Sequence, residues 1–141
     1  MVYLKDEGVF DAPVDKIWRF LNDENANHEH RAVKFSKVLE QSEKIMVVEM
    51  DAKSPDGKTT FKQTAKFTFN PPKGFDMEFL SGPMVGTKHT HTYTPMGNKT
   101  KVEVAGEFKV QGLDEQATKK AALALLEEFF NEDNTALKNY K

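Results

Sequence analysis

The sequence predicts an α+β domain in which a curved seven-stranded antiparallel sheet wraps a long C-terminal helix, with two short helices between strands 1 and 2. Three observations lead there. Between Val33 and Val110, β-rich runs alternate with turns rich in Pro, Gly and Asn, and no helical period competes. Several of those runs sort their side chains into an apolar and a charged face at a spacing of two. Beyond Gly112 the apolar spacing becomes helical and stays so to about Asn139, a helix of about 38 Å at the standard rise.

Each element has its own signal. Tyr3 to Phe10 carries strand formers in Tyr3, Val9 and Phe10 and stops at Asp11-Ala12-Pro13. Pro13 suits a first helical position, Asp15 lies at the positive end of the helix dipole, and Ile17, Trp18, Phe20 and Leu21 supply an apolar face. A helix of about two turns follows. Asn22-Asp23-Glu24-Asn25 breaks that pattern, and a second short helix is expected over Ala26 to Arg31 before Val33 returns to extended structure. Turns at Gln41-Ser42-Glu43-Lys44, Ser54-Pro55-Asp56-Gly57, Asn70-Pro71-Pro72-Lys73-Gly74, Ser81-Gly82-Pro83 and Pro95-Met96-Gly97-Asn98 separate six strands, near 33–40, 45–52, 59–69, 75–80, 86–94 and 99–110. Asp114 is the expected cap of the last helix, whose apolar stripe is Ala117, Ala121, Ala122, Leu125, Leu126, Phe129 and Phe130. No repeat or linker divides the chain, so residues 1–141 read as one domain.

Composition excludes several functions. With 20 Lys+Arg against 22 Asp+Glu, no field of one sign marks a nucleic-acid partner. No apolar run approaches the roughly 20 residues that span a bilayer, so stable membrane insertion is not expected. Met1 to Phe10 lacks the layout of a signal peptide, and a cytoplasmic location is expected. The lack of cysteine removes disulfide frameworks, thiolate nucleophiles and thiolate metal sites.

The inner face of the sheet is apolar. Val102, Val104, Phe108 and Val110 share one side of the last strand and Lys101, Glu103, Glu107 and Lys109 the other. Phe61, Ala65, Phe67 and Phe69 oppose Thr60, Lys62, Lys66 and Thr68, while Phe75, Met77 and Phe79 oppose Asp76 and Glu78. For Glu49 and Asp51 the facing is ambiguous, because Ile45 and Val47 share their phase and Met46, Val48 and Met50 share the other. One helix of roughly 10 Å diameter does not fill the concavity of seven strands. Either large side chains occupy the remainder, and eleven Phe and six Met are available, or a pocket remains between helix and sheet.

The order of elements, and above all the segment Ala12-Pro13-Val14-Asp15-Lys16-Ile17-Trp18-Arg19-Phe20-Leu21-Asn22-Asp23, resembles the START/Bet v 1-like (SRPBCC) superfamily and its polyketide cyclase/dehydrase and lipid-transport members. The resemblance covers nearly the whole chain and implies a helix-grip fold with a cavity for lipids, sterols or polyketides. Two features differ from the superfamily pattern. His28-Glu29-His30-Arg31 stands where relatives often carry Trp-x-Pro, and Glu40-Gln41-Ser42-Glu43 lacks the glycines of the plant pathogenesis-related branch.

Four histidines form two His-x-His pairs, His28 with His30 and His89 with His91. Residues two apart in a strand share a face, so His89, His91 and Tyr93 form a polar ladder, opposite Lys88, Thr90, Thr92 and Thr94. Gln63 can join it from a neighbouring strand. The expected ligand-binding set is this ladder with Phe61, Phe67, Met77, Phe79 and Phe108 from the sheet and Leu125 and Phe129 from the helix. Such a ladder can satisfy itself in a wet cavity, orient a ligand, or serve acid–base chemistry, with an imidazole as base and Tyr93 as donor to an enolate. Two strand histidines fall short of the three or four ligands of a zinc site unless His28 or His30 joins them, so neither a metal nor another cofactor is expected. Gly82-Pro83-Met84-Val85-Gly86 is a candidate gate, or a hairpin turn with a surface methionine. The reading favours a binder or carrier of a hydrophobic small molecule over a cyclase/dehydratase using His89, His91 and Tyr93. A module for a protein partner, such as a chaperone cofactor, is the third alternative.

Overall fold

The computed structural model describes residues 2–23, 26, 28, 30–54 and 57–140. The chain runs β1 (Val2–Phe10), α1 (Val14–Asn22), β2 (Val33–Gln41), β3 (Ile45–Lys53), β4 (Thr60–Asn70), β5 (Gly74–Ser81), β6 (Lys88–Met96), β7 (Lys99–Phe108) and α2 (Glu115–Asn139). Six strands from β2 to β7 form an antiparallel meander, and β1 returns to pair with β7, so the sheet order is β1-β7-β6-β5-β4-β3-β2. A seven-stranded sheet with a long terminal helix is the helix-grip architecture expected from the sequence.

Local chemistry explains where elements start. Pro13 is the residue before α1, with extended φ and ψ, and its missing N–H costs nothing there. Asp114 caps α2 by accepting a hydrogen bond from the Ala117 N–H at 2.8 Å. In β3, Met46, Val48 and Met50 face the interior with Val48 and Met50 fully buried, and Glu49 faces outward to pair with Lys62 at 3.2 Å.

The expected second short helix is not found among the described residues of its segment, residues 24, 25, 27 and 29 lying outside that set. His28 Nε2 bonds the Asp23 carbonyl and its ring packs on Phe20. Three residues on, the Arg31 N–H and guanidinium are held by Glu132 and Glu128 of α2. Arg31 is thereby anchored to α2.

The helix does not cross the whole sheet. Its backbone approaches β1 most extensively, then β7 and α1, at one end of the strand order. Beneath it lies a first core with Leu4, Phe10, Ile17, Phe20, Val102, Val104, Ala122, Leu126 and Leu137. Each large side chain sealed there contributes on the order of 1.5–3 kcal/mol. A second cluster, Val48, Met50, Ala65, Phe67 and Phe79, lies over β3 to β5. Phe69, Phe75 and Met84 pack against both clusters and join them.

Candidate functional site

The polar ladder lies at the seam between the two clusters. Strand register puts His91 beside Phe75 and Val104, His89 beside Met77 and Gly106, and Tyr93 beside Val102. Two glycines permit this. A Cβ on Gly106 would run into the Lys88 carbonyl and the His89 side chain, and one on Gly74, whose φ is +145°, would strike the His91 carbonyl.

Aromatic rings enclose the imidazoles. His91 stacks on Phe75 with centroids 4.3 Å apart, His89 stacks on Phe108 at 5.0 Å, and the two imidazoles are 4.9 Å apart. Phe79 stands 6.3 Å from His89. Among the described residues, His89 Nδ1 and His91 Nε2 are buried without a hydrogen-bond partner. Each such atom costs on the order of 1–3 kcal/mol. Burial lowers the pKa of His89 to about 4, and lowers that of His91 well below the ordinary value, with a smaller contribution from His89 itself. Both rings are therefore neutral near pH 7, each with one nitrogen able to donate and one able to accept.

The expected site residues separate into groups. Phe67, Phe79, Met77 and Phe108 lie around the ladder, with Phe67 5.8 Å from Phe75. Tyr93 is buried 5.7 Å from Trp18, and its hydroxyl pKa is raised by burial and by the negative charge of Asp133. Gln63 is buried on the inner face, against Gly82, and makes no hydrogen bond to the histidines. Three residues stand apart. Phe61 is 39% exposed near the start of β4, Leu125 belongs to neither core cluster, and Phe129 packs on His30 at 4.6 Å.

His28 and His30 do not join the ladder. His30 Nδ1 lies 3.1 Å from Glu132 and its Nε2 3.5 Å from Asp133. Among the described residues no three His, Asp or Glu side chains gather closely enough for a metal ion. Asp133 stands outside the set of site residues expected from the sequence. Desolvation raises its pKa to about 6, against the opposing pull of His30, but its side chain is 34% exposed and solvent screening tempers the energy involved. The helical spacing Ala122, Leu126, Phe130, Asp133, Leu137 carries the signal that places it on the inner stripe.

Met84 packs half-buried against both clusters, so the 82–86 turn carries an inward-packed methionine rather than a fully exposed one. Two clefts open elsewhere. One of about 790 Å³ lies among Trp18, Arg19, Pro72 and Tyr140, braced by bonds from Trp18 Nε1 to the Pro72 carbonyl and from the Tyr140 hydroxyl to Asp23. The other, of about 530 Å³, lies where the ends of β1 and β7 meet the head of α2.

The profile of a family described as polyketide cyclase/dehydrase and lipid transport matches residues 1–140. By sequence, no curated protein matches. Solved structures share the fold at low identity. A Thermus thermophilus protein superposes with a TM-score of 0.82 at 13% identity, over 97% of each chain. A START superfamily protein from Mycobacterium smegmatis gives 0.78 at 11% identity, over 99% of each. The Zhui aromatase/cyclase of a Streptomyces species gives 0.68 at 15% identity, over 96% of this chain and 90% of that one. No helix among the described residues is long and apolar enough to cross a membrane.

Proposed function

The chain belongs to the polyketide cyclase/dehydrase and lipid transport family, and on that premise we propose that it binds a hydrophobic small molecule whose polar group is held by His89 and His91. One observation carries the reading: His89 Nδ1 and His91 Nε2 are buried and unpartnered inside a box of phenylalanines. Folded proteins rarely leave such atoms unpaired, and a few fixed polar groups within apolar walls are what orient a small molecule. A hydroxyl or carbonyl on an apolar body satisfies both the nitrogens and the rings. The rings touch one another, so a ligand enters by displacing side chains, and Met84, Met77 and Met46 are adaptable enough to yield.

The single tryptophan reports on this interior, because Trp18 stands 5.7 Å from Tyr93 and 6.3 Å from Phe69. Titration with a panel of sterols, neutral lipids and polycyclic phenols is expected to shift its emission, with native mass spectrometry detecting the complex. The double variant His89→Phe, His91→Phe is expected to weaken binding about tenfold or more, the loss of about 1.4 kcal/mol. A panel without a binder, or a double variant that binds like the wild type, rejects the reading.

Acid–base catalysis of the cyclase/dehydratase kind is a second reading, favoured by Asp133. Its carboxyl pKa of about 6 lies near working pH, and its charge acts on the buried Tyr93 hydroxyl. Under this reading a polyketide-like substrate is turned over, and Asp133→Asn lowers kcat while leaving binding nearly intact. Equal kcat in Asp133→Asn removes it.

A further inference from the structure

The 530 Å³ cleft at the head of α2 shares a wall with the histidine pair. Phe108 lines the cleft and also stacks on His89, so the same ring borders the outer space and an imidazole with an unpartnered nitrogen. Val2, Val110 and Leu113 make the rest of the apolar lining. Thr118 also lines the cleft and is 3% exposed, so its hydroxyl is a polar group on the cleft wall. The cleft and the ladder therefore present polar groups at two ends of one apolar path, and both kinds of group hydrogen-bond without carrying a fixed charge.

The charges nearby point the same way. Among the described residues the buried polar side chains are Gln63, Thr87, His89, Thr100 and Thr118, none of them a permanent ion. At the cleft rim Asp114 and Glu115 outnumber Lys109. Asp133, the charged side chain that acts on Tyr93 from α2, is also an acid. A carboxylate seated along this path would lose its hydration with only the exposed Lys109 at the rim, beside two acids, as a cation, and an unpaired buried charge costs far more than an unpaired hydroxyl.

We infer that the cleft is the outer half of the ligand site, and that the ligand is an elongated uncharged molecule with hydroxyl or carbonyl groups, one end at Thr118 and the other reaching past Phe108 to His89. The inference rests on the ligand-binding reading above and adds the charge class and the route. It is tested on the intact protein with three probes of equal chain length, 1-decanol, decanoate and decylammonium, followed by Trp18 emission and native mass spectrometry at pH 7.5. Decanol is expected to bind at least tenfold more tightly than decanoate. Thr118→Val is expected to weaken decanol several-fold. Leu113→Trp, a substitution at a position 36% exposed that fills the cleft, is expected to weaken it at least tenfold. Circular dichroism checks that both variants fold.

Decanoate binding as tightly as decanol overturns the charge class. A folded Leu113→Trp variant with wild-type affinity overturns the route, and in either case the ligand-binding reading stands. Decylammonium binding more tightly than decanol also overturns the charge class, because it shows that the acidic rim selects a cation. Failure of all three probes together with the sterol, lipid and phenol panel overturns both proposals.

Discussion

At one end of the concave face α2 presses Ala122, Leu126 and Leu137 onto β1, β7 and α1; at the other, Phe35, Val38 and Phe61 stand on the same face 46%, 51% and 39% exposed. Phe35 and Val38 register with Met50 and Val48, so they belong to the inner side of the sheet. Their exposure follows from where the helix lies. A single helix covers about two strands' width, and here it has settled against the β1 edge. The covered end holds the fold together, and the thinly covered end is where the interior can open at low cost. At its margin β2 carries two register shifts, a bulged edge that discourages pairing with another chain.

Truncation separates the two ends most strongly. Leu137→Ala, at a position 1% exposed, is expected to cost about 2–5 kcal/mol in urea unfolding. Phe61→Ala is expected to stay within about 0.5 kcal/mol of wild type. Equal losses at the two sites would break the comparison.

Acid sharpens it next, because the seam between the clusters carries the histidines. The folded pKa of His89 is about 4, below the 6.5 of a free imidazole, so the unfolded chain binds more protons between those values. Stability is full above about 6.5 and is lost as pH falls toward 4, by an amount on the order of 3 kcal/mol from His89. His91 adds in the same direction. Asp133 opposes them: its raised pKa makes the native state bind the extra proton, so its contribution falls as pH rises from about 4 to about 6. Its partial exposure makes it the lesser effect. Urea midpoints from pH 7.5 down to pH 4 are expected to fall, and His89→Phe is expected to flatten the fall. An unchanged slope in that variant removes the histidine explanation.

The smallest effect belongs to the head of α2, which supports the covered end. Asp114→Ala is expected to cost about 1 kcal/mol through the lost cap on Ala117, read as a shift in the denaturant midpoint with m unchanged. A loss as large as that of Leu137→Ala would mean that the cap also secures the cleft beside it.

Much of the fold was legible along the chain. Turn residues marked the hairpins, the period of two placed Val102, Val104, Phe67 and Phe79 inside, and Asp114 announced the last helix. The ladder was legible for the same reason, since His89 and Tyr93 lie four apart in one strand and both are buried. Phe61 shows the limit. Its phase puts it on the inner face, but phase does not say whether anything lies above it. Arg31 shows another, because its partners Glu128 and Glu132 lie about a hundred positions away.

By itself, then, the sequence determined the meander, the long helix and the side of the sheet that each side chain faces, all of which follow from backbone periodicity and turn chemistry between near neighbours. Only the tertiary structure decided which part of that face α2 covers, that Asp133 meets His30, and that two imidazole nitrogens are sealed without partners among the described residues. Those outcomes depend on how a rigid helix packs onto a curved sheet, and packing joins residues whose separation along the chain carries no local signal.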